Sequence, residues 1–226
     1  MIGTALRPLG RGLRDTLDHL LPFTLASISW WLGVFLIVTA PAATLALFRF
    51  TDPRALEDHR RPTRPEVLEL VRSWLGTGWR LGLALAVPVV VLVRNLATHH
   101  DLGWLGTFLV PLWVVLLLAT LTAGGIACSL VANHGEPVGR ALRRAVLLTL
   151  SRAPILAPLV LLLWLIVAVG GLLAVPAVAF VPTLVAVTMN HVTYAALGIA
   201  VVDPLDPTPE RRAEEQRVGG STYASN

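Results

Sequence analysis

Apolar residues fall along this chain in long unbroken blocks separated by short charged segments. No charged residue occurs between Phe23 and Phe48, and a second charge-free run goes from Leu102 to just before Glu136. A third, covering 153–202, holds 50 residues without Asp, Glu, Arg or Lys. A helix needs about 20 apolar residues to cross the ~30 Å hydrocarbon core. Each of the first two runs is thus long enough for one crossing. The third is long enough for two, with a turn near Gly170-Gly171 and Pro176. A weaker stretch, Leu81 to Val93, lies between Arg80 and Arg94. Their separation is about 21 Å of helix, so at least one guanidinium must snorkel or find a partner. The pattern predicts five spans, at about 23–48, 77–98, 103–131, 153–173 and 177–201.

Two segments between spans are amphipathic. In the first, Val67, Leu68, Val71, Trp74, Leu75 and Trp79 recur at helical spacing, and Glu66, Glu69, Arg72, Ser73 and Arg80 fall mostly on the other side. In the second, Arg140, Arg143 and Arg144 share a face that excludes Leu142, Val146 and Leu150. Both are expected to lie at the membrane surface and lead into the next span; the alternative is a cytosolic extension of that span. Arg72, Arg80, Arg140, Arg143, Arg144 and Arg152 are the expected interfacial basic residues. The fold expected is an all-α, polytopic transmembrane helix bundle of about five spans plus two interfacial amphipathic helices. Residues 1–22 form a polar, amphipathic N-terminal segment, 23–202 the transmembrane domain, and 203–226 a disordered tail broken by Asp203-Pro204, Asp206-Pro207 and Pro209.

Composition narrows the class. The chain of 226 residues is 55% hydrophobic and 14% charged, with mean hydropathy +0.70. Soluble domains carry about 25% charged residues, so an ordinary cytosolic globular fold is excluded. The single thiol, Cys128, forms no internal disulfide. The formal charge is +4 and every basic residue is Arg. These arginines flank apolar runs, so the lipid bilayer is the expected partner and nucleic acid is not. With five spans, fourteen arginines fall on one side and Arg7, Arg11, Arg14 and Arg94 on the other. The positive-inside rule then puts the C-terminus in the cytoplasm and the N-terminus outside. A minority topology, a re-entrant hairpin bent at Pro41, would keep the N-terminus inside. A weak internal repeat lays 30–48 over 113–131, matching Trp30 with Trp113 and Thr39-Ala40 with Thr122-Ala123.

The segment Trp30 to Phe48 resembles the signature of the YesL-like family of bacterial integral membrane proteins. The matching parts are Trp30, Val38-Thr39, Ala42-Ala43-Thr44 and Ala46-Leu47-Phe48. Trp74, Trp79 and Arg80 before the second span, the arginine-rich 140–152 segment and the overall length are similar too. Leu36 stands where the family has Pro, and Pro41 where it has Gly. The resemblance implies the bacterial cytoplasmic membrane and an association with carbohydrate uptake. It implies no catalytic residue.

The most polar stretch inside a span holds Thr188, Asn190, His191, Thr193 and Tyr194, of which Asn190 and Tyr194 share an i+4 stripe with Ala186 and Gly198. One reading is a substrate or proton site with a titrating His191. The other, favoured here, is interhelical packing, because no carboxylate lies inside any span to partner His191. His99, His100 and Asp101 in an outer loop, His134 and Glu136 after the third span, and Cys128 among small residues read as structural. No catalytic, cofactor-binding or metal-binding pattern is present: there is no phosphate-binding glycine loop, H-E-x-x-H or C-x-x-C. The expected function is a non-enzymatic accessory or regulatory component of an uptake system, docking a membrane partner such as a transporter subunit. The alternative is a small stand-alone transporter or channel, acting as an oligomer, with its polar site on the fifth span.

Overall fold

The computed structural model describes residues 2–54, 64–99, 103–153, 163, 165 and 175–199. Every regular element among these residues is helical: α1 Ile2–Asp18, α2 Leu20–Phe35, α3 Ala40–Phe50, α4 Arg64–Ser73, α5 Leu75–Ala97, α6 Gly103–His134, α7 Val138–Ser151 and α8 Val175–Leu197. Three helices are long and apolar enough to cross a membrane: Leu75–Ala97, Gly103–His134 and Phe180–Leu197. They coincide with the second, third and fifth expected spans. The fourth, 153–173, lies outside the described residues except for Ala153, Leu163 and Leu165, and so does the 203–226 tail.

The first expected span is not one helix. The run divides into α2 of 16 residues and α3 of 11, about 24 Å and 16 Å at 1.5 Å per residue. Neither reaches across a ~30 Å core. The two helices double back on each other. The rings of Phe23 and Phe50 meet edge-on at 6.3 Å, and Trp30 Nε1 donates to Thr44 Oγ1 at 3.1 Å. The bend precedes Pro41, which occupies the first turn of α3, where its missing N–H costs nothing. Ile37 at the bend has φ +43°, a backbone that β-branched residues rarely adopt. Three contacts hold it: Thr39 Oγ1 donates to Gly33 O at 2.6 Å, Trp79 Nε1 donates to Val38 O at 2.8 Å, and Gly78 sits directly against the α3 N-terminus. A Cβ on Gly78 would lie 2.8 Å from Ala42 N and 3.0 Å from the Pro41 carbonyl carbon.

The break also removes the apparent repeat, because 30–48 forms a helix–turn–helix whereas 113–131 lies within one unbroken helix. Trp74 N donates to Leu70 O and Gly78 N to Trp74 O, so helical hydrogen bonding runs from α4 into α5, and the first amphipathic segment leads directly into the next expected span. After three residues, with Gly135 at φ +64°, α7 folds back on α6. Its contact stripe is Ala141, Ala145 and Thr149, small residues at i+4 that permit close approach.

The core sits at one end of the bundle. Residues Thr122 to Ala132 of α6 are mostly buried, while Trp104, Phe108 and Val115 near its other end stay exposed. Packed against the buried end are α3, α7, α8 and the start of α5. At 32 residues, α6 is about 48 Å long, well beyond the hydrocarbon core.

Candidate functional site

Thr188, Asn190, His191 and Tyr194 lie on α8 where α1, α3 and the end of α6 converge. The α3 C-terminus leaves carbonyls without helical partners. Thr51 Oγ1 donates to Leu47 O at 2.9 Å. The Asn190 amide donates across the bundle to Phe48 O at 2.9 Å, Thr51 O at 3.1 Å and Thr51 Oγ1 at 3.2 Å. Its Oδ1 accepts from Asn133 Nδ2 at 2.9 Å. Asn190 is fully buried, and it acts as a cap for α3 supplied by another helix.

One turn on, Tyr194 donates its hydroxyl to Asp52 Oδ1 at 2.8 Å. The same oxygen accepts from Arg54 N at 3.2 Å, and Oδ2 accepts from Arg49 at 3.2 Å. Asp52 is 3% exposed, and this pairing with Arg49 is what makes burying its charge tolerable. The Arg54 guanidinium lies 5.1 Å from the Tyr194 ring centre, within cation–π range, and the His134 ring meets Tyr194 edge-on at 5.4 Å.

His191 has the partner that the sequence did not reveal. Its Nε2–H donates to Asp15 Oδ2 at 2.7 Å. No carboxylate inside an expected span partners His191; the one that does arrives from α1, outside every span. Leu9, Gly12 and Thr16 form the buried stripe of α1, and Gly12 lets its backbone close on Thr188. A Cβ there would lie 2.6 Å from Thr188 Oγ1 and 3.1 Å from its Cα. Thr188 Oγ1 itself is buried and has no hydrogen-bond partner among the described residues. Deeper in the bundle, Thr183 Oγ1 donates to Phe23 O at 3.0 Å and is also hydrogen-bonded to Ser27 Oγ, pinning α2 to α8.

The basic residues are not gathered here. Arg72, Arg80, Arg140, Arg143, Arg144 and Arg152 are exposed on α4, α5 and the α7 region; Arg144 pairs with Glu136. His99 Nδ1 contacts Leu96 O at 2.8 Å, and His100 and Asp101 lie outside the described residues. No group of three His, Cys, Asp or Glu able to hold a metal ion occurs among the described residues.

Asp15, Asp52, Asn133 and Arg54 are the members that sequence reasoning missed. Asp15 had one usable signal, its place three residues after Gly12 on a helix with an apolar stripe. Asp52 had another, its place just past the end of an apolar run. Chemically, the arrangement is a clamp in which Asn190, Tyr194, Asp52 and His191 are each hydrogen-bonded to another element, while the buried Thr188 Oγ1, Asn133 Oδ1 and His134 Nε2 have no hydrogen-bond partner among the described residues. The His191–Asp15 pair is its one half-open edge, with the Asp15 side chain 29% exposed.

Comparison with known protein families, curated proteins and solved structures finds no match to this chain.

Proposed function

We propose that this chain is a non-enzymatic protein of the bacterial cytoplasmic membrane that serves as an accessory or regulatory component of an uptake system. The observation that carries this reading is the engagement of Asn190. Both ends of its amide are used in joining α3 and α6 to α8, which leaves no free amide for a solute. What remains open to a partner is the exposed arginine-bearing surface of α4 and α7. The resemblance to the YesL-like family points to carbohydrates as the class of cargo.

The hairpin supports a revised topology. With α2–α3 re-entrant, the N-terminus lies on the same side as the arginine-rich segments. Counting 153–173 as a span, seventeen of the eighteen arginines then face the cytoplasm and only Arg94 faces outward. That arrangement puts Arg7, Arg11 and Arg14 on the arginine-rich side as well. The test is to purify a tagged copy at native expression in mild detergent and identify what accompanies it. Stoichiometric permease or ATPase subunits support the reading; a chain recovered alone or only with itself overturns it.

A second reading, a stand-alone transporter, is favoured by the His191–Asp15 pair. His191 and the partly exposed Asp15 belong to different helices, so the pair is a polar contact at the edge of the bundle that a solute could reach. Flux in liposomes abolished by Asn190→Ala or His191→Ala, with folding intact, would select it.

A further inference from the structure

We propose that the groove between α2, α3 and α4 holds one acyl chain of an anionic phospholipid. The groove has a volume of about 520 Å³, within the range of small-molecule sites. It exists because Ala26, Ala43 and Ala46 present only methyl groups where the hairpin faces α4, whose Val67 and Val71 form the opposite wall. Trp30 also lines it. Its indole N–H is already bound to Thr44, so this wall offers the groove an apolar ring and no unsatisfied donor. Ser29 is the one hydroxyl among the lining residues. Water gains almost nothing in such a space, whereas an alkyl chain is stabilised roughly in proportion to the apolar area it buries.

The mouth and the surrounding charge identify the occupant. Leu25 and Leu68 line the groove yet are 46% and 72% exposed, so it opens there. On α2 the opening continues into the exposed Leu21, Ile28 and Leu32, a surface suited to lipid and not to water. Arginines flank the lining at two points. Arg49 precedes Phe50 and keeps 42% of its side chain exposed while pairing with Asp52. The exposed Arg72 follows Val71. An apolar slot beside arginines at a membrane surface matches an anionic lipid, tail inside and phosphate on the guanidinium groups.

The test uses the full chain in nanodiscs of phosphatidylglycerol carrying a photoreactive group in mid-chain, with adducts mapped by peptide mass spectrometry. Adducts are expected at Ala26, Trp30, Ala46 and Val71 as well as on the outward-facing Leu21 and Leu32. Ala46→Phe should reduce the groove adducts at least about tenfold, the change expected when 1.4 kcal/mol of binding is lost, and leave those at Leu21 and Leu32 unchanged. Ala26→Leu fills the groove from α2 instead of α3 and serves if Ala46→Phe does not fold. Replacing phosphatidylglycerol by phosphatidylcholine, or making Arg72→Gln, should lower groove labelling alone. Adducts confined to the outward-facing residues, or groove labelling indifferent to filling or to headgroup charge, would overturn the proposal.

Discussion

Asn190→Leu tests whether the polar stripe on α8 is a clamp. The substitution keeps most of the side-chain volume and removes the amide. Two α3 carbonyl contacts, at 2.9 and 3.1 Å, and the bond from Asn133 at 2.9 Å are lost. Hydrogen bonds between membrane helices average about 0.6 kcal/mol with maxima near 1.7. A buried polar group left unpaired costs about 1–3 kcal/mol. Asn190 and Thr51 are both fully buried, so water replaces the lost partner poorly. The expected loss is about 2–4 kcal/mol, with a midpoint near a hundredfold change in the unfolding constant. Asn190→Asp should cost more than Asn190→Leu, because a carboxylate turns an acceptor toward the acceptors of Phe48 and Thr51. Equilibrium unfolding in mixed micelles, followed by tryptophan fluorescence, measures both. An Asn190→Leu protein within about 0.5 kcal/mol of the parent, or an Asp variant no worse than Leu, would refute the argument.

The other predictions concern the hairpin, α1 and topology. Gly78→Ala drives a methyl into the Pro41–Ala42 backbone and should cost about 2 kcal/mol or more, seen as a lowered unfolding midpoint; Gly124→Ala, whose Cβ would first meet the flexible Leu85 side chain, should cost far less. Ile37→Gly relieves the φ of +43° and should raise stability by about 1 kcal/mol in the same unfolding assay. In a double-mutant cycle, Asp15→Asn and His191→Gln should show a coupling of about 1–3 kcal/mol; a coupling near zero would remove the latch between α1 and α8. A reporter fused to the N-terminus should read as cytoplasmic, and a periplasmic signal would reject the re-entrant arrangement.

The class of molecule was legible in the sequence. Charge-free runs longer than a bilayer crossing dictate helices, because backbone groups in hydrocarbon can be satisfied only within the segment. The second, third and fifth expected spans kept that reading. The 23–48 run did not, because length and apolarity cannot distinguish one crossing from two short helices folded together. The break at 36–39 is decided by contacts from elsewhere in the chain: the glycine face of α5 at Gly78 and the Trp79 indole on Val38 O. The candidate site was half legible in the same way. Thr188, Asn190, His191 and Tyr194 could be identified because polar residues at depth are rare and stand out. Asp15 and Asp52 lie in charged segments, where the nearby Gly12 and the end of an apolar run are signals that name no partner for either carboxylate. Their role comes from chain folding, which brings α1 and the end of α3 to α8 across 176 and 142 residues. Periodicity records what each helix must bury, whereas the partner of a buried polar group is set by which helices meet, and only the tertiary structure decided that.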